Sequence, residues 1–61
     1  MGIKKLRKKK GLSQKELADK MAVDQTAISQ WERGVSYPRV AKLQELAKVL
    51  ECTIDELVME E

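Results

Sequence analysis

Apolar residues recur along this chain at helical spacing, in five blocks separated by short breaks. Spacings of three and four put such residues on one face of a helix. Ile3 and Leu6 begin the first block, which covers about residues 2–10, and the aliphatic stem of Lys10 extends its face. Gly11 stops it, because a glycine just past a helix end adopts the left-handed conformation without steric penalty. The second helix opens at Ser13. Ser13-x-x-Glu16 is a capping box, in which each side chain satisfies the other residue's free backbone N–H. Leu12, ahead of the cap, staples onto Leu17, and Leu17, Ala18 and Met21 form the inward stripe before the helix ends near Met21. Asp24 is the N-cap expected for the third helix. Ile28 and Trp31 point inward there, while Gln25, Thr26, Ser29, Gln30 and Arg33 point outward, and Gly34 closes it. Val35-Ser36-Tyr37-Pro38 reads as a loop, with Pro38 in the first turn of the fourth helix. Val40, Leu43, Leu46, Ala47 and Leu50 give that helix its stripe. Cys52 or Thr53 then starts a short fifth helix with Ile54, Leu57 and Val58 inward.

The connection between the second and third helices is only Ala22-Val23-Asp24. So short a link forces a steep crossing rather than an antiparallel pair. A steep crossing needs a small residue where the backbones meet, and Ala18 supplies it. Val23 sits in the turn and plugs the angle. Trp31 is three residues from Ile28 on the inward face, which makes it a core residue rather than a base-stacking one.

Composition narrows the function. Sixty-one residues hold one domain. A chain this short buries only about 60% of its unfolded surface, which leaves no second shell for a substrate-enclosing cleft. At 43% hydrophobic, it has enough apolar residues for a folded core. With no histidine and one cysteine, the usual zinc sites, Cys/His nucleophile pairs and intramolecular disulfides are excluded. No enzyme activity, metal or cofactor is expected. Cys52 reads as a small packed hydrophobe, and a lone thiol suits a cytoplasmic protein. No stretch approaches the roughly 20 apolar residues of a membrane helix, and no signal-peptide core is present.

The net charge is +2, but its distribution is uneven. Residues 1–15 carry seven basic groups and no acid, and residues 51–61 carry five acids and no base. This predicts a positive end and a negative end. A positive end suits a polyanion, although a solvated lysine-rich helix has the same composition. The Lys8–Lys10 cluster therefore reads equally as nonspecific phosphate attraction or as solubility. Lys4 with Lys8, and Lys5 with Lys9, are like-charge i,i+4 pairs that each destabilise the first helix by about 0.2–0.5 kcal/mol.

Leu12-Ser13-Gln14-Lys15-Glu16-Leu17-Ala18 and Ile28-Ser29-Gln30-Trp31-Glu32-Arg33-Gly34 resemble the phage repressor and Cro type of helix-turn-helix domain. Pro38, the run Leu46-Ala47-Lys48-Val49-Leu50 and the closing Thr53-Ile54-Asp55-Glu56-Leu57 match as well, so the resemblance covers essentially the whole chain. It implies an all-α, five-helix, lambda-repressor-like domain with its helix-turn-helix over residues 14–33. It also implies a sequence-specific regulator of transcription, of the repressor kind, acting by occlusion of a promoter. Ala22 departs from the family, which commonly has glycine at that turn. A left-handed alanine there costs about 1–2 kcal/mol.

The resemblance also implies roles for individual residues. Gln25, Thr26, Ser29 and Gln30 would contact bases from the third helix. A glutamine amide pairs with adenine N6 and N7, and a threonine methyl suits thymine. Gln14, Lys15, Arg33, Ser36, Tyr37 and Arg39 would contact phosphates. Of these, Gln14 acts beside free helix N–H groups, Ser36 and Tyr37 through their backbone amides, and Arg39 at a phosphate or in a narrow minor groove. Arg7 and Glu32 would form a structural ion pair, since an acid at the end of the third helix opposes its dipole. The partner is double-stranded DNA with pseudo-palindromic half-sites. A homodimer would form through the last two helices, with Val49, Val58 and Met59 as an apolar patch and the acidic tail kept off the DNA. No membrane or small-molecule partner is expected. Two other classes compete: an antitoxin-like module whose main target is a partner protein, and a cationic membrane-surface peptide. The capping and packing pattern argues against the second, because it specifies a globular core.

Overall fold

A computed structural model describes residues 1–59. Glu60 and Glu61, part of the acidic tail expected to stay off DNA, lie outside the described residues. Five helices follow in order, α1 (Ile3–Lys9), α2 (Gln14–Met21), α3 (Gln25–Arg33), α4 (Val40–Leu50) and α5 (Ile54–Val58). No strand occurs among the described residues.

Local chemistry sets most of the helix ends. Ser13 Oγ accepts from the Glu16 N–H at 3.0 Å while Glu16 accepts from the Ser13 N–H at 2.8 Å. A second capping box starts α5, where Thr53 and Glu56 make the same exchange at 3.1 and 2.8 Å. Gly11 and Gly34 both have φ +75° and end their helices as left-handed residues. Asp24 takes the N-cap position but makes no side-chain cap bond. Its carbonyl accepts the Ala27 N–H at 3.0 Å instead, so its carboxylate favours the helix N-terminus only through charge. Pro38 also differs from expectation. Arg39 is the N-cap of α4, so the proline precedes the helix rather than entering its first turn.

The core draws on all five helices. Ile3, Leu17, Met21, Ile28, Leu46 and Leu57 are fully covered, with Ala18, Trp31 and Leu50 nearly so. Leu12 and Val23 pack against this cluster from the two connections. The inward assignment fails for Val40, Ile54 and Val58, which are 71%, 37% and 46% exposed. Val40 is the first residue of α4 and lies beyond the packed part of that helix. Helix α5 has five residues, and only Leu57 is buried from it. Val49 is half-buried against the core, so the apolar surface at this end is Ile54, Val58 and Met59.

The Gly2 N–H donates to the Leu57 carbonyl at 2.7 Å and joins the start of α1 to α5. Lys10 pairs with Glu51 at 2.6 Å. The basic and acidic segments, far apart in sequence, therefore adjoin at this contact. Packing α1 against the end of α4 and α5 brings the two compositions together.

Ala22 ends α2 with φ 57° and ψ 42°, the left-handed conformation. The Val23 N–H then bonds back to the Ala18 carbonyl at 3.0 Å. Lys42 of α4 donates to the Met21 carbonyl at 3.1 Å and places a cation at the C-terminus of α2. Replacing Ala22 by glycine relieves roughly 1–2 kcal/mol of backbone strain and gives back about 0.5–1 kcal/mol in unfolded-state entropy. Ala22→Gly is thus expected to raise the melting temperature by several degrees in a thermal melt. A midpoint lowered by the full entropic cost of glycine, about 0.5–1 kcal/mol, would show that the alanine carries no strain.

Candidate nucleic-acid interface

Burial of Ile28 and Trp31 fixes which side of α3 faces the core, and the opposite side is polar. Gln25, Thr26 and Arg33 are exposed, and Ser29 is half-buried. With Gln14 from the start of α2 they line one open cleft between the two helices. The remaining candidates stand outside it. Gln30 is half-buried and turned to the loop, where its side-chain oxygen accepts from Ser36 Oγ at 3.4 Å. Its carbonyl accepts the N–H groups of Val35 and Ser36 at 2.9 and 3.5 Å. The Ser36 amide therefore already has a partner. Tyr37 and Arg39 are exposed along the loop. Lys15 is exposed on α2 and pairs with Asp19 at 3.5 Å.

A hydrogen-bonded chain anchors the cleft. Arg7 Nε donates to Glu32 Oε2 at 2.6 Å and Arg7 Nη2 to Glu32 Oε1 at 3.3 Å, a two-point contact between α1 and α3. Arg7 Nη1 donates to the Leu12 carbonyl at 2.8 Å, just before α2. Both side chains of the pair are nearly inaccessible, at 9% and 4%. Gln14 Nε2 donates to Glu32 Oε1 at 2.9 Å, and Gln14 Oε1 accepts from Gln25 Nε2 at 3.4 Å. Gln14 thus links the ion pair to the first residue of α3, a role not legible in the sequence. Gln14 and Glu32 are 18 residues apart, and no local pattern connects them. The same holds for Lys42 of α4, which meets the Met21 carbonyl at the end of α2 across 21 residues.

Burial alone raises the pKa of Glu32. Hydrogen bonds from Arg7 and Gln14, with the charges of Arg7 and Lys4, outweigh it and hold the carboxylate below its ordinary range. Burial, assisted by the charge of Glu56, pushes the Cys52 thiol up, so the thiol stays protonated at neutral pH.

The helix-turn-helix family matches this chain over residues 3–57. The chain belongs to that family, and its five helices are the lambda-repressor-like arrangement of a DNA-binding domain. It is 43% identical over 56 residues to the HTH-type transcriptional activator BcrR of Enterococcus faecalis. The match takes in 92% of this chain and 28% of that protein, so the chain spans less than a third of its relative. No solved structure matches it. Among the described residues no helix is long and apolar enough to cross a membrane.

Removing one member of a well-buried ion pair leaves the other uncompensated, at about 3–5 kcal/mol. Glu32→Gln is expected to lower the urea midpoint accordingly. The pH dependence has a definite sign, because the folded pKa of Glu32 is depressed. Its stabilisation is complete above the unfolded pKa and lost as pH falls through the folded one. Wild type should therefore lose stability in acid more steeply than Glu32→Gln. Parallel acid limbs for the two proteins would contradict this account.

Proposed function

We propose that this chain is the sequence-specific DNA-binding domain of a transcriptional regulator, reading the major groove with α3. The observation that carries the reading is the cleft of Gln14, Gln25, Thr26, Ser29 and Arg33, open to solvent and backed by the Arg7–Glu32 pair. The major groove admits a helix whose N-terminal residues reach base edges. Gln25 is the first residue of α3. With one amide N–H held by Gln14, it keeps its oxygen and a second N–H. That is the donor–acceptor pair that recognises adenine through N7 and N6. Thr26 and Ser29 face the same way, and Gln30 reads from the loop side once Ser36 releases it. Gln14, Lys15, Arg33, Tyr37 and Arg39 hold phosphates, joined by Ser36 once its amide leaves the Gln30 carbonyl, and these contacts position the domain without specifying sequence.

Residues 1–61 act as one DNA-binding unit in a cytoplasmic protein. One domain contacts too few base pairs to define a site, so two copies bind pseudo-palindromic half-sites about 34 Å apart. They meet through the C-terminal helices, where Ile54, Val58 and Met59 are exposed. The sign of regulation follows from operator placement. On a site overlapping a promoter the bound domain represses by occlusion, whereas BcrR is named an activator.

Selection of duplexes from a random pool tests the reading directly and should return a half-site repeated at one-turn spacing. Gln25→Ala should then weaken operator binding by about 1–3 kcal/mol and relax preference at a single base pair. Gln14→Ala should weaken every sequence through its phosphate contact and, because Gln14 also holds Gln25, relax preference at the same base pair. Recovery of no consensus from the pool, or equal losses for Gln25→Ala on every operator variant, would defeat the base-reading role. A pure monomer on operator DNA by sedimentation would defeat the dimer.

A further inference from the structure

The lysine-rich α1 does not present one cationic surface. A helix turns about 100° per residue, and this divides the cations of α1 between two flanks. Leu6, Lys9 and Lys10 fall on one flank and line a surface depression with Glu51 and Glu56. Lys10 is bound there to Glu51 at 2.6 Å. Lys9 stands beside the same acids without an ion pair of its own among the described residues. Arg7, Lys4 and Lys8 fall on the other. Arg7 reaches Glu32 of α3 and the Leu12 carbonyl at the entrance to α2, so this flank borders the Gln14 end of the cleft. Lys4 lies close enough to Glu32 for its charge to act on that carboxylate.

Lys4 and Lys8 are exposed, and among the described residues their ammonium groups have no ion-pair partner. They also repel each other at i,i+4, in a helix with no acid in its first turn. Lys5 and Lys9 share that conflict, so position is what singles out Lys4 and Lys8: they lie on the flank that borders the Gln14 end of the cleft. We propose that Lys4 and Lys8 hold DNA phosphates beside the half-site and widen the footprint past the helix-turn-helix, while Lys9 and Lys10 serve the chain's own acidic face. This rests on the DNA-binding reading above. Each lysine is a point charge that displaces condensed counterions and adds affinity without sequence information.

The test uses the full chain as wild type, as Lys4→Gln/Lys8→Gln, as Lys4→Arg/Lys8→Arg and as Lys9→Gln. Affinity is measured against salt concentration on a selected operator duplex and on a random-sequence duplex of equal length. The Lys4→Gln/Lys8→Gln variant should lose about 0.9 from the magnitude of the log–log slope per lysine removed. The loss should be the same on both duplexes, leaving the ratio of specific to nonspecific binding unchanged. The arginine pair should keep the wild-type slope, and so should Lys9→Gln. A wild-type slope for Lys4→Gln/Lys8→Gln would overturn the proposal, as would an equal loss for Lys9→Gln. Wild type that binds neither duplex would instead overturn the DNA-binding reading itself.

Discussion

The contact between Arg7 and Glu32 fixes more of this domain than its size suggests. An acid in the last turn of α3 is unfavourable by itself, because the helix C-terminus is already negative. Here the carboxylate is buried as well, and it is tolerated because a guanidinium meets it at two points. The same guanidinium holds the Leu12 carbonyl at the start of α2. One planar group therefore sets α1, α2 and α3 relative to one another, with three donors in a fixed fork. A lysine ammonium cannot reproduce that geometry. Gln14 carries the constraint onward by donating to Glu32 and accepting from Gln25.

The parts of this architecture governed by nearest neighbours were legible in the sequence. Ser13 with Glu16, the stops at Gly11 and Gly34, and the stripes Leu17–Ala18–Met21 and Ile28–Trp31 depend on residues within one or two turns, and the helices follow them. The errors fell where packing decides. Val40, Ile54 and Val58 have helical spacing but no neighbour to cover them. Asp24 has a capping side chain and the right position but forms no cap bond. Sequence order separates the basic and acidic segments, yet Lys10 meets Glu51 across 41 residues. For the interface, spacing separated the outward face of α3 from the core. Gln14's hydrogen bonds to residues 11 and 18 positions away required the fold.

The interface divides two tasks among different chemistries. Amides and hydroxyls line most of the cleft, with Arg33 as its one cation, and a directional donor and acceptor there can be matched to a base edge. Cations stand around it, where attraction is long-ranged and indifferent to sequence. Glu51 and Glu56 sit on the opposite flank of α1, where Glu51 pairs with Lys10. A net charge of +2 thus understates the field at the proposed binding face.

The left-handed alanine at position 22 lies in an exposed turn whose side chain contributes nothing to the cleft. Every alanine codon is one nucleotide away from a glycine codon. Evolution can therefore alter the folding equilibrium here in a single step without changing any side chain aimed at a groove. In a cell such a change appears as altered abundance of the regulator, so occupancy of its targets can shift while its preference among them stays the same.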